Sequence, residues 1–233
     1  MNSRSFIPVT LTLLGSLCAT VSYATMKPEA PMLLILEKDG GGSINVTNTD
    51  NQTELLYVKI IDLPDDKKPK LFTTQPVMRL GAGKTQMVRF ILNSDRPLEH
   101  EHLKRVAFEG IHPKKKDGEN RIDVNIRQNI PVIIHPKGLP MIADPWKALE
   151  WKIEGNKLTA HNPSPYVVRL SQQVTLLPNN KSAMLTKSYL LPQQTISASV
   201  KDANSLSSVQ KVSIITLSKY GFETGSVEMP VAQ

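Results

Sequence analysis

From Arg121 to Pro136 the chain reads RIDVNIRQNIPVIIHP. The even positions Ile122, Val124, Ile126, Ile130, Val132 and Ile134 are apolar, and only Gln128 breaks the row. The odd positions Arg121, Asp123, Asn125, Arg127 and Asn129 are polar. A period of two marks a β-strand, whose successive side chains point to opposite faces. At roughly 3.3 Å per residue such a strand would reach about 50 Å, far beyond the usual ~5–6 residues. Pro131 has no amide hydrogen to donate, so the strand is expected to be an edge on at least one side there. A long apolar edge is either covered inside a sandwich or used to capture another strand, and the pattern alone leaves both readings open.

Similar patterning recurs before this stretch. Strands are expected at Met32–Leu36, Ser43–Asn48, Glu54–Ile61, Val77–Leu80, Gln86–Leu92 and Lys104–Ile111. Turn chemistry separates them, for example Asp39-Gly40-Gly41-Gly42 and Gly81-Ala82-Gly83. With Arg121–Ile134 this makes seven strands at regular spacing, which predicts an immunoglobulin-like sandwich. The stretch Lys137–Pro140, rich in Gly and Pro, reads as a short stiff linker. Beyond it, strands are expected at Leu149–Ile153, Lys157–His161, Tyr166–Leu177, Thr195–Val200, Val209–Lys219 and Val227–Met229, with a tight Gly155-Asn156 hairpin and Trp151 in the core. The fold class is therefore all-β, with two domains at residues 25–136 and 141–233.

Composition narrows the setting. Residues 1–24 read as a secretory signal peptide, with Arg4 ahead of the apolar run Phe6–Leu17 and a small-x-small site at Ser22-Tyr23-Ala24. The apolar run is shorter than the ~20 residues of a membrane span. Cleavage after Ala24 would remove the only cysteine, Cys18, leaving an exported chain without disulfide or thiol chemistry. Of 28 Lys and Arg only Arg4 would be lost, against 21 Asp and Glu, so the exported part carries a formal +6. That charge is spread out and aromatics make up only 5% of the chain, which argues against nucleic-acid binding. No nucleophile elbow or zinc-motif spacing appears, and an enzymatic reading finds no residues to use. His100-Glu101-His102 reads as a solvated polar turn rather than a metal site. Gly81-Ala82-Gly83-Lys84 lacks the spacing of a phosphate loop and reads as a hairpin turn. No cofactor is expected.

Several stretches, in this order, resemble the periplasmic pilus (fimbrial) chaperones of the chaperone–usher pathway, the PapD-like family. They are Ser43–Asn48 (SINVTN), Gln75–Phe90 (QPVMRLGAGKTQMVRF), Val106–Pro113 (VAFEGIHP), the long strand ending in His135-Pro136, Asn162–Tyr166 (NPSPY) and Ser218–Gly221 (SKYG). The resemblance covers essentially all of the chain after residue 24. It implies two immunoglobulin-like β-sandwich domains in a boomerang arrangement, a periplasmic location, pilin-like subunits as partners and an outer-membrane usher as recipient. It also implies donor-strand complementation: the seventh strand, Arg121–Ile134, lies in the open groove of an incomplete subunit, with Ile122, Val124 and Ile126 filling its pockets. Burying three such side chains gives roughly 5–9 kcal/mol gross, before the cost of association. A free form with this edge uncovered is open to self-association.

Two departures from the family stand out. The family's usual basic anchors for the subunit's carboxylate fall on Met32 and Pro131, neither of which can bind one. Arg127, with Arg89 and Arg105 behind it, is the expected substitute. His135 and Lys219 stand where the family's interdomain ion pair is altered, and a carboxylate such as Glu101 is an expected partner. The alternative reading is a secreted two-domain adhesin or structural component without client handling.

Overall fold

In the computed structural model the described residues are 25–112, 126–155, 157–200, 206–218 and 220–232. The segment 1–24, the expected insertion residues Ile122 and Val124, the turn residue Asn156 and Lys219 lie outside them.

The first half folds into β1 (Met26–Pro28), β2 (Leu33–Leu36), β3 (Gly41–Asn48), β4 (Glu54–Asp62), β5 (Lys70–Thr73), β6 (Val77–Leu80), β7 (Thr85–Asn93), β8 (His102–Ile111) and β9 (Arg127–His135). They hydrogen-bond in the order β5-β7-β3-β2-β9-β8-β4-β6, with β1 on β3. The path folds over at β2, which meets β3 through a single register pair, Leu36 with Gly41, but runs parallel to β9 from Leu33–Val132 to Leu36–His135. Ile44, Val46, Val88 and Phe90 from one layer share a core with Ile35, Leu56, Val58, Val106, Phe108, Val132 and Ile134 from the other. That shared core makes the folded sheet a sandwich.

The second half consists of β10 (Glu150–Glu154), β11 (Lys157–His161), β12 (Val168–Leu177), β13 (Lys181–Leu185), β14 (Tyr189–Leu190), β15 (Thr195–Val200), β16 (Lys211–Leu217) and β17 (Glu223–Ala232). Their order is β13-β15-β11-β10-β17-β16-β12-β14. β13 also pairs with β12, so this sheet closes on itself around Trp151, Leu158, Leu170, Leu176 and Ile214. Gly155, at φ +59°, makes the two-residue turn between β10 and β11.

Two buried asparagines hold the loop that follows β3 and the loop that follows β11. Asn48 Nδ2 donates to Gln52 O (2.8 Å) and Leu80 O (3.0 Å), and its Oδ1 accepts from Asp50 N (2.9 Å). Asn162 Nδ2 donates to Tyr166 O (2.7 Å) and Leu191 O (3.1 Å), while Oδ1 accepts from the Ser164 amide and hydroxyl. The NPSPY stretch is thus a loop shaped by its own first side chain.

Several sequence expectations change, and the second half has eight strands among the described residues where six were expected. The first sandwich has nine strands among the described residues, not seven, because the short β1 and β5 carry too few alternations to register as strands. Gly81–Gly83 is not a hairpin: β6 pairs with β4 and β7 with β3 and β5, so this turn carries the chain from one layer to the other. Asn48 fastens that corner through its backbone, accepting from Gly83 N (3.0 Å) and donating to Lys84 O (2.9 Å). The last strand is also longer than expected, running over Glu223–Ala232.

Candidate functional site

The two halves of β9 have different surroundings. Val132–Ile134 lie between β2 and β8, His135 pairs with β2, and Arg127–Pro131 pair with β8 alone among the described residues. Pro131 stands at the boundary, where the missing amide hydrogen leaves no gap in the β2 ladder. The even residues Ile130, Val132 and Ile134 are buried in the first core, and the same face runs on to the half-buried Ile126. The apolar row therefore leaves the protein's own core along a strand with one open edge.

Its odd face leads into the contact between the two halves. Ile133 joins Met32, Leu63 and Leu103 in a cluster with Val167 and Leu191 of the second half. Beside it, Glu101 is 7% exposed. Its Oε1 lies 2.8 Å from His135 Nδ1 and its Oε2 accepts from the Val167 amide at 2.8 Å. His135 Nε2 donates to Leu139 O at 2.9 Å, and Tyr166 Oη to Pro140 O at 2.7 Å. Burial pushes the Glu101 carboxyl above its ordinary value, opposed by the hydrogen bonds from His135 and Val167.

The reading of His100-Glu101-His102 as a solvated turn is thereby overturned. Its central carboxylate is buried because it satisfies a backbone amide of the other domain. His102 Nδ1 lies 2.8 Å from Asp66 Oδ1, and Lys104, with no exposed side-chain surface, lies 3.1 Å from Asp62 Oδ1. Burial alone would raise the Asp62 carboxyl, but hydrogen bonds from Lys70 and Lys104 hold it below its ordinary value. The neighbouring Asp65 reaches across to Lys187 and to Gln194 Nε2 (2.9 Å).

The basic candidates separate clearly. Arg89 sits on the exposed outer face of β7, in the layer that does not carry β9, so it does not face this cleft. Arg127 is taken up by its cross-strand neighbour: Nε and Nη2 both donate to Glu109 Oε2, at 2.8 and 2.6 Å. Arg105 lies directly opposite Pro131 and donates to Asn129 Oδ1 and O, both at 2.7 Å. A fourth cation was not apparent from the sequence. Arg169 Nη1 lies 3.2 Å from Met32 Sδ, and a side chain at Gly221 would meet its guanidinium at 3.3–3.4 Å. Burial lowers the pKa of Arg169, and the positive charge of Arg105 lowers it further. Nothing in a Val-Val-Arg-Leu run signals this role; only the fold brings Arg169 to Met32. Arg169, Tyr166, Leu34 and Ile133 line a small cleft whose mouth carries the exposed Met141.

No helix among the described residues is long and apolar enough to cross a membrane.

Residues 25–140 match the pili and flagellar-assembly chaperone family, PapD N-terminal domain, and residues 144–226 match the pili assembly chaperone PapD, C-terminal domain. The fimbrial chaperone YhcA of Escherichia coli strain K12 is 44% identical over 198 residues, covering 84% of this chain and 86% of YhcA. The chaperone protein caf1M of Yersinia pestis is 27% identical over 177 residues, covering 66% and 67% of the two chains. Among solved structures, the Salmonella enterica SafA pilin complex with the SafB chaperone aligns with TM-score 0.73 at 20% identity, covering 90% of this chain and 97% of the other. The E. coli chaperone DraB aligns with TM-score 0.70 at 21% identity, covering 89% and 97%. Together with the two immunoglobulin-like sandwiches and the open-edged β9, these matches show that the chain belongs to the PapD family of pilus-assembly chaperones.

Proposed function

We propose that this chaperone works in the periplasm by lending its strand from residue 121 to 131 to a pilin-like subunit and passing that subunit to an outer-membrane usher. The observation that carries the reading is the single-sided pairing of Arg127–Pro131. An edge of unpaired backbone groups, continued by Ile126, Val124 and Ile122, offers an incomplete sandwich both a ladder and side chains for its pockets. Completing the subunit's own fold then drives release, so no nucleotide or catalytic group is required.

The anchor for the subunit's terminal carboxylate is assigned to Arg105 and Arg169, one from each domain, rather than to Arg127 or Arg89. Arg105 faces Pro131 and Arg169 contacts Met32, so the two cations stand beside the positions where the family's usual bases are missing. Each lowers the cost of the anion that the other attracts, and guanidinium groups suit bidentate carboxylate contacts. This set also removes the main ground for reading the chain as a structural component without a client.

The test is co-expression of the tagged chaperone with its neighbouring pilin-like subunits, followed by periplasmic pull-down. Wild type is expected to retain a small β-rich subunit and Val124→Glu to lose it, because a charge cannot enter an apolar pocket unpaired. Arg169→Ala and Arg105→Ala are expected to weaken retention at least tenfold. A Val124→Glu protein that is folded by circular dichroism and retains as much subunit as wild type would overturn the reading.

A further inference from the structure

We propose that Asp50, Glu54 and His112 form a divalent-cation site of zinc type at the end of the first sandwich away from the interdomain cleft. The three come from the loop after β3, the start of β4 and the residue following β8, so no local motif announces them. One ligand atom from each lies within 4.8 Å of the others.

The independent observation is the state of Glu54. Its side chain has no exposed surface, yet neither carboxylate oxygen has a hydrogen-bond partner among the described residues. His112 Nδ1 lies 3.0 Å from Oε1 but without hydrogen-bond geometry, as two lone pairs facing one cation would. Gly110 makes room for the group: a Cβ there would lie 2.0 Å from Glu54 Oε2 and 2.4 Å from Thr25 Oγ1. A buried carboxylate that receives no hydrogen bond is costly, and a second carboxylate beside it raises that cost. A divalent cation removes both costs and leaves a neutral cluster if the imidazole is neutral.

The donor set selects the metal class. Two carboxylate oxygens and one imidazole nitrogen suit zinc, whereas calcium and magnesium prefer all-oxygen sites. Around tetrahedral zinc, ligand atoms stand about 3.4 Å apart, so the Glu54–His112 pair at 3.0 Å would open slightly while Asp50 draws in. Water can fill the remaining position. His112 is the last described residue before segment 113–125, so the metal would pin the root of the connection leading toward β9.

The experiment is isothermal titration of untagged, chelator-treated full-length mature protein with zinc chloride, with magnesium chloride as comparison. One zinc per chain is expected, with no binding of magnesium at the same concentrations. His112→Ala and Asp50→Asn are each expected to weaken zinc at least tenfold. Both are partly exposed positions, so these variants keep the test valid if Glu54→Gln fails to fold. His100→Ala is the control for the other histidine pair, His100 with His102, and should leave binding unchanged. Folded wild type that binds no zinc, or binding that survives His112→Ala and vanishes with His100→Ala, would overturn the proposal and leave Glu54–His112 an ion pair only.

Discussion

The two halves of β9 continue one apolar face, through Ile130, Val132 and Ile134, and do opposite things. Val132–Ile134 are paired on both sides, with Val132 and Ile134 wholly buried in the first core. Among the described residues Arg127–Pro131 are paired on one side, and Ile126 ahead of them is only half-buried. Part of the difference is in the strand, whose odd face is exposed at Arg127 and Asn129 and buried at Ile133 and His135. The rest lies in β2, whose ladder begins at Val132 and goes no further toward the start of β9. An apolar alternation thus specifies a face, and the length of the neighbouring strand decides how much of the strand's edge stays available.

The sharpest way to break this contrast is to truncate one side chain in each half. Ile134→Ala, in the closed half, is expected to cost about 2–5 kcal/mol, the range for a buried large-to-small change. Ile126→Ala, just ahead of the open half, should cost under about 1 kcal/mol, since Ile126 is not among the side chains packed against the first core. Urea titration followed by circular dichroism measures both. Equal costs would mean that the two halves are equally packed.

The next largest effect concerns the contact that the closed half makes with the second domain. Glu101→Ala leaves the buried Val167 amide and the His135 ring without their acceptor, at about 1–3 kcal/mol for each orphaned group. Calorimetry should then resolve two unfolding transitions where wild type shows coupled ones. Ile126→Ala should leave that coupling intact.

A smaller effect is pH dependence. Because the native Glu101 carboxyl titrates above its ordinary value, the folded chain holds a proton there that the unfolded chain has lost. Its contribution to stability is fully present below the ordinary carboxylate range, about pH 4, and declines as pH rises through the raised native value. The unfolding free energy of wild type relative to Glu101→Gln should therefore fall with rising pH across that window and flatten above it.

Much of the fold was legible because period-two alternation survives in single strands. Val77–Leu80 and Lys157–His161 appear as expected, and Trp151 is a core residue. The elements β5, β13 and β14 were not legible, being two to five residues long in polar company. The site divides in the same way. The apolar row of β9 is local and could be read directly. Glu101, Lys104 and Arg169 could not, because their meaning depends on partners far along the chain: Val167, Asp62 and Met32. In the sequence Glu101 sits in a polar triplet that resembles a surface turn. Its burial follows from an amide 66 residues away.

The most direct measurement of strand donation is hydrogen–deuterium exchange of the chaperone alone and with a bound pilin-like subunit. Donation predicts that peptides spanning residues 121–131 become strongly protected on binding, while those spanning 132–134, already paired on both sides, change little. Unchanged exchange across 121–131 in a stoichiometric complex, with new protection confined to other surfaces, would contradict it.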